Sequence, residues 1–481
     1  MKLIFEKSIP GRRGVSVAGN DVAVKAEIKH SLLREKPAEL PELSELDVVR
    51  HFTALARRNF GVDSGFYPLG SCTMKYNPKA AEAVAADRGF TDVHPLLPQL
   101  PGGETLVQGA LGVLYNLDLL LREICGMAAF TMQPLAGAHG ELTGVMTIAA
   151  YHRDRGNAKT VLLIPDTAHG TNPASAAIAG YQVRSVPSAP DGGLDVEALR
   201  SAVTPEVAGL MITNPNTLGL FDRRIHEIAD IVHAVDGLMY YDGANLNAML
   251  GRCRPGDMGF DIVHINLHKT FATPHGGGGP GSGPVGVVEK LVPFLPTSVV
   301  RERPDGTLYL DYDRPKSIGY VAAFYGNFAI ILRAYAYLLM LGRGGLLEVS
   351  ENAVLNANYI QKRLAEFYLL PYARLCMHEC VFSAARQAKA GVRAIDIAKA
   401  LIDRAFHPPT VYFPLTVSEA IMIEPTETES KETLDAFCDA MIEIAKLAQT
   451  RPDEVTRCPL TTPVGRLDET RAARQIDVSS I

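Results

Sequence analysis

Four segments of this chain hold residue types whose chemistry is complementary. In NLHKTFATPHGGGGPGSGP, residues 266 to 284, Lys269 closes an apolar run and a glycine-crowded stretch follows. A lysine in that place is either a solvated terminus or a desolvated amine, and desolvation frees its lone pair to condense with an aldehyde. In YYDGANLNA, Asp242 ends another apolar run. Alone it reads equally well as a helix N-cap or as a carboxylate able to pair with a protonated ring nitrogen. In PLAGAHGELTGVMTIAAYH, residues 134 to 152, a small-residue turn enters a helix, and the first N–H groups of a helix form an anion site that small residues let a phosphate approach. In DTAHGTNPASA, residues 166 to 176, His169 is a loop histidine; such an imidazole is a surface group, a stacking partner for a planar ring or a proton carrier.

Together the four segments describe a phosphate cradle, a stacking group, a counter-ion for a ring nitrogen and an amine for an aldehyde. They come in the chain order of an aspartate-aminotransferase-type fold, and the cofactor that needs all four is pyridoxal 5′-phosphate.

The elements that must position them are legible as alternation. Strand-like runs VLLI (161–164), VRSV (183–186), GLMIT (209–213), LMYYD (238–242) and DIVHINL (261–267) are separated by helical patterns, including one through PASAAIAG and one with Ile225, Ile228, Val232 and Val235 on one face. Strands apolar on both faces, alternating with helices, imply an α/β fold with a mainly parallel sheet, and the order of the four segments makes the aspartate-aminotransferase-like fold type I the expectation. The site then lies beyond the carboxyl ends of the strands. A helix through ETLVQGALGVLYNLDLLLREICG precedes the alternation. A smaller α+β unit follows it, with strand candidates CVFSA and TVYFPLTV and a last long helix from Ser430 to Ala448. The expected organisation is a Pro/Gly-rich wrapping arm over 1–100, a large cofactor-binding domain over 101–335 and a small C-terminal α+β domain with its tail over 336–481.

Composition supports a globular enzyme and excludes other classes. The 481 residues exceed what a single core holds, and a net charge of -6 argues against nucleic acid as the main partner. The apolar stretch 320–342 is interrupted by Asn327 and Arg333 and reads as a buried helix, not a membrane span. Seven cysteines without paired spacing, and a first segment lacking a long apolar core, lead to the expectation of a cytoplasmic protein. In CMHEC, Cys376, His378 and Cys380 alternate as on one face of a strand; with no second ligand cluster at the usual spacing, no metal site is expected.

The segment from YYDGANLNA to GSGPVGV resembles the cofactor segment of the glycine-cleavage P-protein family. The resemblance continues through FYPLGSCTMKYNP, AGAHGELTG, AHGTNPASA, TNPNTLGLFD, DYDRPKSIG and FHPPTVYFPLTVSEAIMIEPTETESKETL. It implies decarboxylation of glycine on pyridoxal phosphate, an oxidoreductase reaction with a disulfide acceptor, in which the aminomethyl group passes to the lipoyl group of the carrier H-protein. Length and possession of the lysine resemble the second subunit of the split form. This implies a first subunit as partner, in a two-plus-two heterotetramer.

Carried onto this chain, the resemblance implies that Lys269 holds the cofactor, Asp242 pairs with the ring nitrogen and His169 stacks on the ring. Gly137, Ala138 and His139 would cradle the phosphate, with His268 beside the lysine, and Thr217, Asn214 and Asn245 near the ring. Ser71, Cys72, Thr73 and His275 are candidates for the substrate side. Arg404 is the candidate for the substrate carboxylate, although a tight carboxylate clamp opposes decarboxylation. The glycines after His275, including Gly278, are expected to form a backbone-lined wall that turns the chain back into PVGVV or lets a bulky second substrate pass.

Overall fold

The structure, a computed structural model, describes residues 2–19, 21, 28–277, 279 and 281–477. The chain forms two compact units, residues 1–65 and 66–481. In the first, the helix Glu45–Ala56 starts at a capping box: the Ser44 side chain accepts from the Asp47 N–H while the Asp47 carboxylate accepts from the Ser44 N–H.

The second unit is built on a seven-stranded sheet of order β1-β7-β6-β5-β4-β2-β3. Its strands are β1 (Ala129–Thr131), β2 (Val161–Pro165), β3 (Gln182–Val186), β4 (Val207–Thr213), β5 (Leu238–Gly243), β6 (Ile262–Ile265) and β7 (Val285–Val287). β7 runs antiparallel to both neighbours, and the other pairings are parallel. Every residue of β2, β4, β5, β6 and β7 is buried, the burial expected of a sheet covered on both faces. Alternate residues serve two cores. Leu210, Tyr241 and Val263 pack in one with the helices Gln108–Cys125 and Ile225–His233. Met211, Tyr240 and Ile262 pack in the other with the helix Gly137–Asp154. That helix lies close on the sheet: a Cβ at Gly144 would meet the Tyr240 ring at 2.3 Å.

The sheet is followed by the hairpin of β8 (Val299–Glu302) and β9 (Leu308–Asp311). A long helical stretch, Phe328–Leu364, is broken at Gly342, whose φ of 58° and ψ of -172° are not helical. It is the one helix, among the described residues, long and apolar enough to cross a membrane by length and composition. Ile330, Ile331, Leu332, Ala334, Tyr337 and Leu338 are buried in the core, as the sequence led one to expect of this stretch, whereas Leu339 and Met340 are exposed. Its helical part begins at Phe328 rather than near residue 320.

A three-stranded antiparallel sheet of order β10-β12-β11 completes the unit: β10 (Cys380–Ser383), β11 (Thr410–Val411) and β12 (Ala420–Ile423). Phe382, Ile421, Ile423, Leu434 and Phe437 share its core with the helices Ala394–Ile402 and Lys431–Thr450. TVYFPLTV supplies only the two residues of β11, because Pro408, Pro409 and Pro414 lack the N–H groups a longer strand must donate.

Candidate active site

The strand predicted over 261–267 ends two residues early, and that shortening sets the lysine. After Ile265 the chain turns into a single helical turn, Leu267–Thr270, in which the Asn266 carbonyl accepts from the Lys269 and Thr270 N–H groups. Lys269 is thereby lifted beyond the carboxyl edge of β6, half-buried.

Neighbouring strand ends bring the acids to the same edge. Asp242, the next-to-last residue of β5, is buried, and it accepts from the Ala244 N–H at 3.0 Å and from Asn172 Nδ2 at 3.2 Å. His264 of β6 stands opposite in register, with Nε2 at 3.4 Å from Asp242 Oδ1 and Nδ1 at 2.7 Å from the Tyr240 hydroxyl. Burial holds the His264 ring below its ordinary range, while the Asp242 charge beside it pulls the other way. Burial also pushes the Asp242 carboxyl up. His264, the Ala244 N–H, the Lys269 amine and Asn172 outweigh it and hold Asp242 below the usual carboxylate range.

Glu141, one turn into the helix Gly137–Asp154, has the opposite fate. Burial, and then the Asp242 charge, push its carboxyl up to about 8. Its Oε1 accepts from the Thr171 hydroxyl at 2.8 Å, and that hydroxyl lies 2.7 Å from His169 Nδ1. Burial and the nearby Lys269 amine lower His169, so its ring is neutral near pH 7. Two neighbouring carboxyls are thus driven apart, one ionised and one protonated.

The small-residue turn enters the helix as expected. Ala136, at the N-cap, provides no side-chain cap, which leaves the N–H groups of Gly137, Ala138 and His139 available to an anion. The His139 ring folds back, its Nδ1 accepting from the Leu135 N–H at 3.2 Å. The turn is pressed against the glycine-rich segment: a Cβ at Gly283 would meet the Ala136 carbonyl at 2.1 Å, and one at Gly281 would meet His268 Nδ1 at 2.8 Å. Farther back, Gly276, Gly277 and Gly279 have φ of 69°, 61° and 120°, a backbone region that favours glycine. Gly278 lies outside the described residues. The glycines therefore turn the chain and also allow two close approaches.

Residues 71–75 reach the same region. The Ser71 N–H donates to Glu379 Oε2 at 2.7 Å and the Thr73 N–H to Glu424 Oε2 at 3.0 Å. Cys72 is raised by burial and lowered by the Lys269 amine beside it. Lys75, 2% exposed, donates to Asn247 Oδ1 at 2.7 Å, to Glu427 Oε1 at 2.7 Å and to the Thr270 carbonyl at 2.9 Å. It thereby ties this segment to the residue after Lys269. His378, Glu379 and Glu424 form one buried cluster and Glu141, Asp242 and His264 another.

The remaining candidates divide. Asn214 accepts from the Asp222 N–H, Asn245 donates to the Pro215 carbonyl and Thr217 donates to the Thr167 carbonyl, all three being buried. Asn214 Nδ2 and Asn245 Oδ1 have no hydrogen-bond partner among the described residues. His268 and His275 meet edge-to-face at 5.3 Å, and burial followed by the Lys269 charge lowers both, His268 to about 3. Arg404 is directed elsewhere, at 2.7 Å from Glu443 and 2.9 Å from the Ala400 carbonyl. Lys75, Glu141, His264, Glu379 and Glu424 were not singled out from the sequence. Glu141 sits inside the quoted GAHGELTG, where an acid in the first turns of an anion-binding helix was an available signal.

Comparison with known proteins gives this geometry a lineage. The family model described as glycine dehydrogenase, C-terminal domain, matches residues 349–457. A Bacillus velezensis protein named probable glycine dehydrogenase (decarboxylating) subunit 2 is 58% identical over 477 residues, covering 98% of this chain and 96% of the relative. The chain belongs to the glycine dehydrogenase (decarboxylating) subunit 2 family. A Listeria welshimeri member of that name is likewise 58% identical, covering 99% of this chain and 97% of its own length.

Among solved structures, an inhibitor-bound glycine decarboxylase (P-protein) of the glycine cleavage system superposes with a TM-score of 0.71 at 22% identity, covering 86% of this chain and 92% of that one. Lactobacillus brevis glutamate decarboxylase gives 0.63 at 14%, covering 87% and 96%. These likenesses show the fold, the type I architecture expected from the alternation of strands and helices.

Proposed function

We propose that this chain decarboxylates glycine on pyridoxal 5′-phosphate and passes the remaining aminomethyl group to the lipoyl group of a carrier protein. It works in the cytoplasm beside a first subunit of related fold, two copies of each. The observation that carries the reading is the convergence at one sheet edge of Lys269, an ionised Asp242, a neutral His169 and the uncapped helix start at Gly137.

The chain's own groups fit the cofactor. Buried hydroxyls of Thr270, Thr273 and Ser282, with His268 Nδ1, have no partner among the described residues, and they belong to the segment that packs on the helix start. Burying such groups without partners costs about 1–3 kcal/mol each, so they suit a phosphate rather than a closed core. When bound, the cofactor supplies an electron sink for the pair that departing CO2 leaves behind.

Lys269 would hold it covalently. Asp242, kept ionised by His264 and the Ala244 N–H, would hold a proton on the ring nitrogen. Glu141 is kept protonated at neutral pH, so a second negative charge does not compete for that proton. His169, oriented by Thr171, would cover the ring. Ser71, Cys72, Thr73 and His275 would line the substrate side. Arg404 contributes no carboxylate clamp, its guanidinium being committed to Glu443.

Reduction of the cofactor-loaded chain with borohydride should fix the label on Lys269. A label on another lysine, or a chain that binds no pyridoxal phosphate, overturns the reading.

A further inference from the structure

Glu379 and Glu424 face one another at the ends of two paired strands. Cys380 of β10 pairs with Ile423 of β12 in antiparallel register, which sets the preceding and following residues opposite each other. Like charges directly opposite across a strand pair are destabilising, and both glutamates are wholly buried.

Three of their four carboxyl oxygens are gripped by residues 71–73. Glu379 Oε2 accepts from the Ser71 N–H, Glu424 Oε2 from the Thr73 N–H, and Glu424 Oε1 from the Thr73 hydroxyl at 2.5 Å. Ser71 and Thr73 reach them with φ of 62° and 48°, a backbone region that a residue with a Cβ rarely adopts. The fourth oxygen, Glu379 Oε1, is buried without a partner among the described residues. So are both ring nitrogens of His378, whose Nε2 lies 3.8 Å from it.

The charged and titratable groups facing this pair are the Lys269 amine, the Cys72, Cys376 and Cys380 thiols, the Lys75 ammonium and His378. Burial first, and then the neighbouring Glu424, push the Glu379 carboxyl well above its ordinary range. Burial also raises Glu424. One proton in the pair removes the repulsion and leaves the Ser71 and Thr73 donors satisfied.

We propose that Glu379 and Glu424 share one proton, which Glu379 delivers through Oε1 to the sulfur that leaves when the lipoyl disulfide is opened. This rests on the function proposed above. In that step a carbon–sulfur bond forms between the carbon that lost CO2 and one sulfur, using the electron pair CO2 left behind. The sulfur–sulfur bond breaks, its pair goes to the second sulfur, and that sulfur takes the proton from Glu379. The disulfide is the oxidant, and the pair, then doubly ionised, regains a proton from solvent.

Infrared spectroscopy of the full chain at pH 7, with and without cofactor, should show a protonated-carboxyl component that is lost in Glu379→Gln and kept in Glu141→Gln. In the complete system, with first subunit and lipoylated carrier, Glu379→Gln should keep its cofactor and its spectral response to glycine. Aminomethyl transfer should fall at least about a hundredfold, the range of a lost general acid, and the residual rate should lose the alkaline fall of the unaltered protein. Protonated-carboxyl absorption that is undiminished in Glu379→Gln, or transfer by Glu379→Gln within about threefold of the unaltered protein, overturns the proposal. If Glu379→Gln does not fold, Glu424→Gln decides, since it should shift the carboxyl band and displace the pH profile; a variant that does neither overturns the proposal. Failure of the unaltered protein to transfer at all overturns the functional reading and the delivery step together, while the infrared band still reports the shared proton.

Discussion

Replacing Lys75 with methionine keeps most of the side-chain volume and removes its charge. The loss is confined to polar terms: an ion pair at 2.7 Å whose side chains are 1% and 7% exposed, and hydrogen bonds to Asn247 and the Thr270 carbonyl. Breaking a buried pair from one side costs about 3–5 kcal/mol, because the other charge stays buried alone. Burial pulls the Lys75 amine down, but Glu427 and then Tyr337 outweigh it, so its folded value lies above the ordinary 10.5. A raised lysine contributes stability that is complete below its unfolded value and is lost only as pH rises through the folded one. The effect of Lys75→Met should therefore be undiminished from pH 6 to 9. Urea unfolding of the cofactor-loaded chain should show a loss of about 3–5 kcal/mol, and Lys75→Met with Glu427→Gln should recover at least half of it. Thr270 is the residue after Lys269, so cofactor affinity should fall as well. A loss under about 1 kcal/mol, or a double variant no more stable than the single one, would refute the claim that this pair locks residues 71–75 onto the lysine turn.

Other perturbations separate the remaining parts of the site. Asp242→Asn should lower kcat by about 10²- to 10³-fold, the scale of one lost electrostatic group, with glycine KM nearly unchanged in steady-state kinetics. Gly283→Ala forces a Cβ to within 2.1 Å of the Ala136 carbonyl; a stability loss of about 1–3 kcal/mol and weaker phosphate binding should follow, read by thermal melting and cofactor titration. Glu141 has its carboxyl raised to about 8, so the folded chain holds a proton the unfolded chain releases. Its contribution to stability should fall as pH rises from about 4.3 to 8, by up to about 1.4 kcal/mol per pH unit. Glu141→Gln should flatten that slope in unfolding measurements across the window.

Lys269, Asp242 and His169 were legible because each closes or follows a short apolar run, and a parallel sheet brings such ends to one edge. The strands themselves were readable for the same reason, being buried on both faces. The acids that tune the site were not. Glu379, Glu424 and Glu427 lie some 300 or more residues of chain from the Ser71–Lys75 segment they bind, the separations being 308, 351 and 352. Nothing local in SCTMK or in IEPTE marks that pairing. β12 was missed because AIMI is four residues with no alternation, and TVYFPLTV was overread because β-branched residues outvoted the prolines around them. Lys269 was expected just past the end of a strand over 261–267 and sits on a helical turn, since Asn266 redirects the chain through its carbonyl.

The central claim is that this chain removes the carboxyl group of glycine through Lys269. Its most direct test is exchange of labelled bicarbonate carbon into glycine, run with the first subunit, lipoylated carrier and either the unaltered chain or Lys269→Ala. Exchange is expected with the unaltered chain and none with Lys269→Ala. Exchange undiminished in Lys269→Ala, or absent with the unaltered chain fully loaded with cofactor, would contradict it.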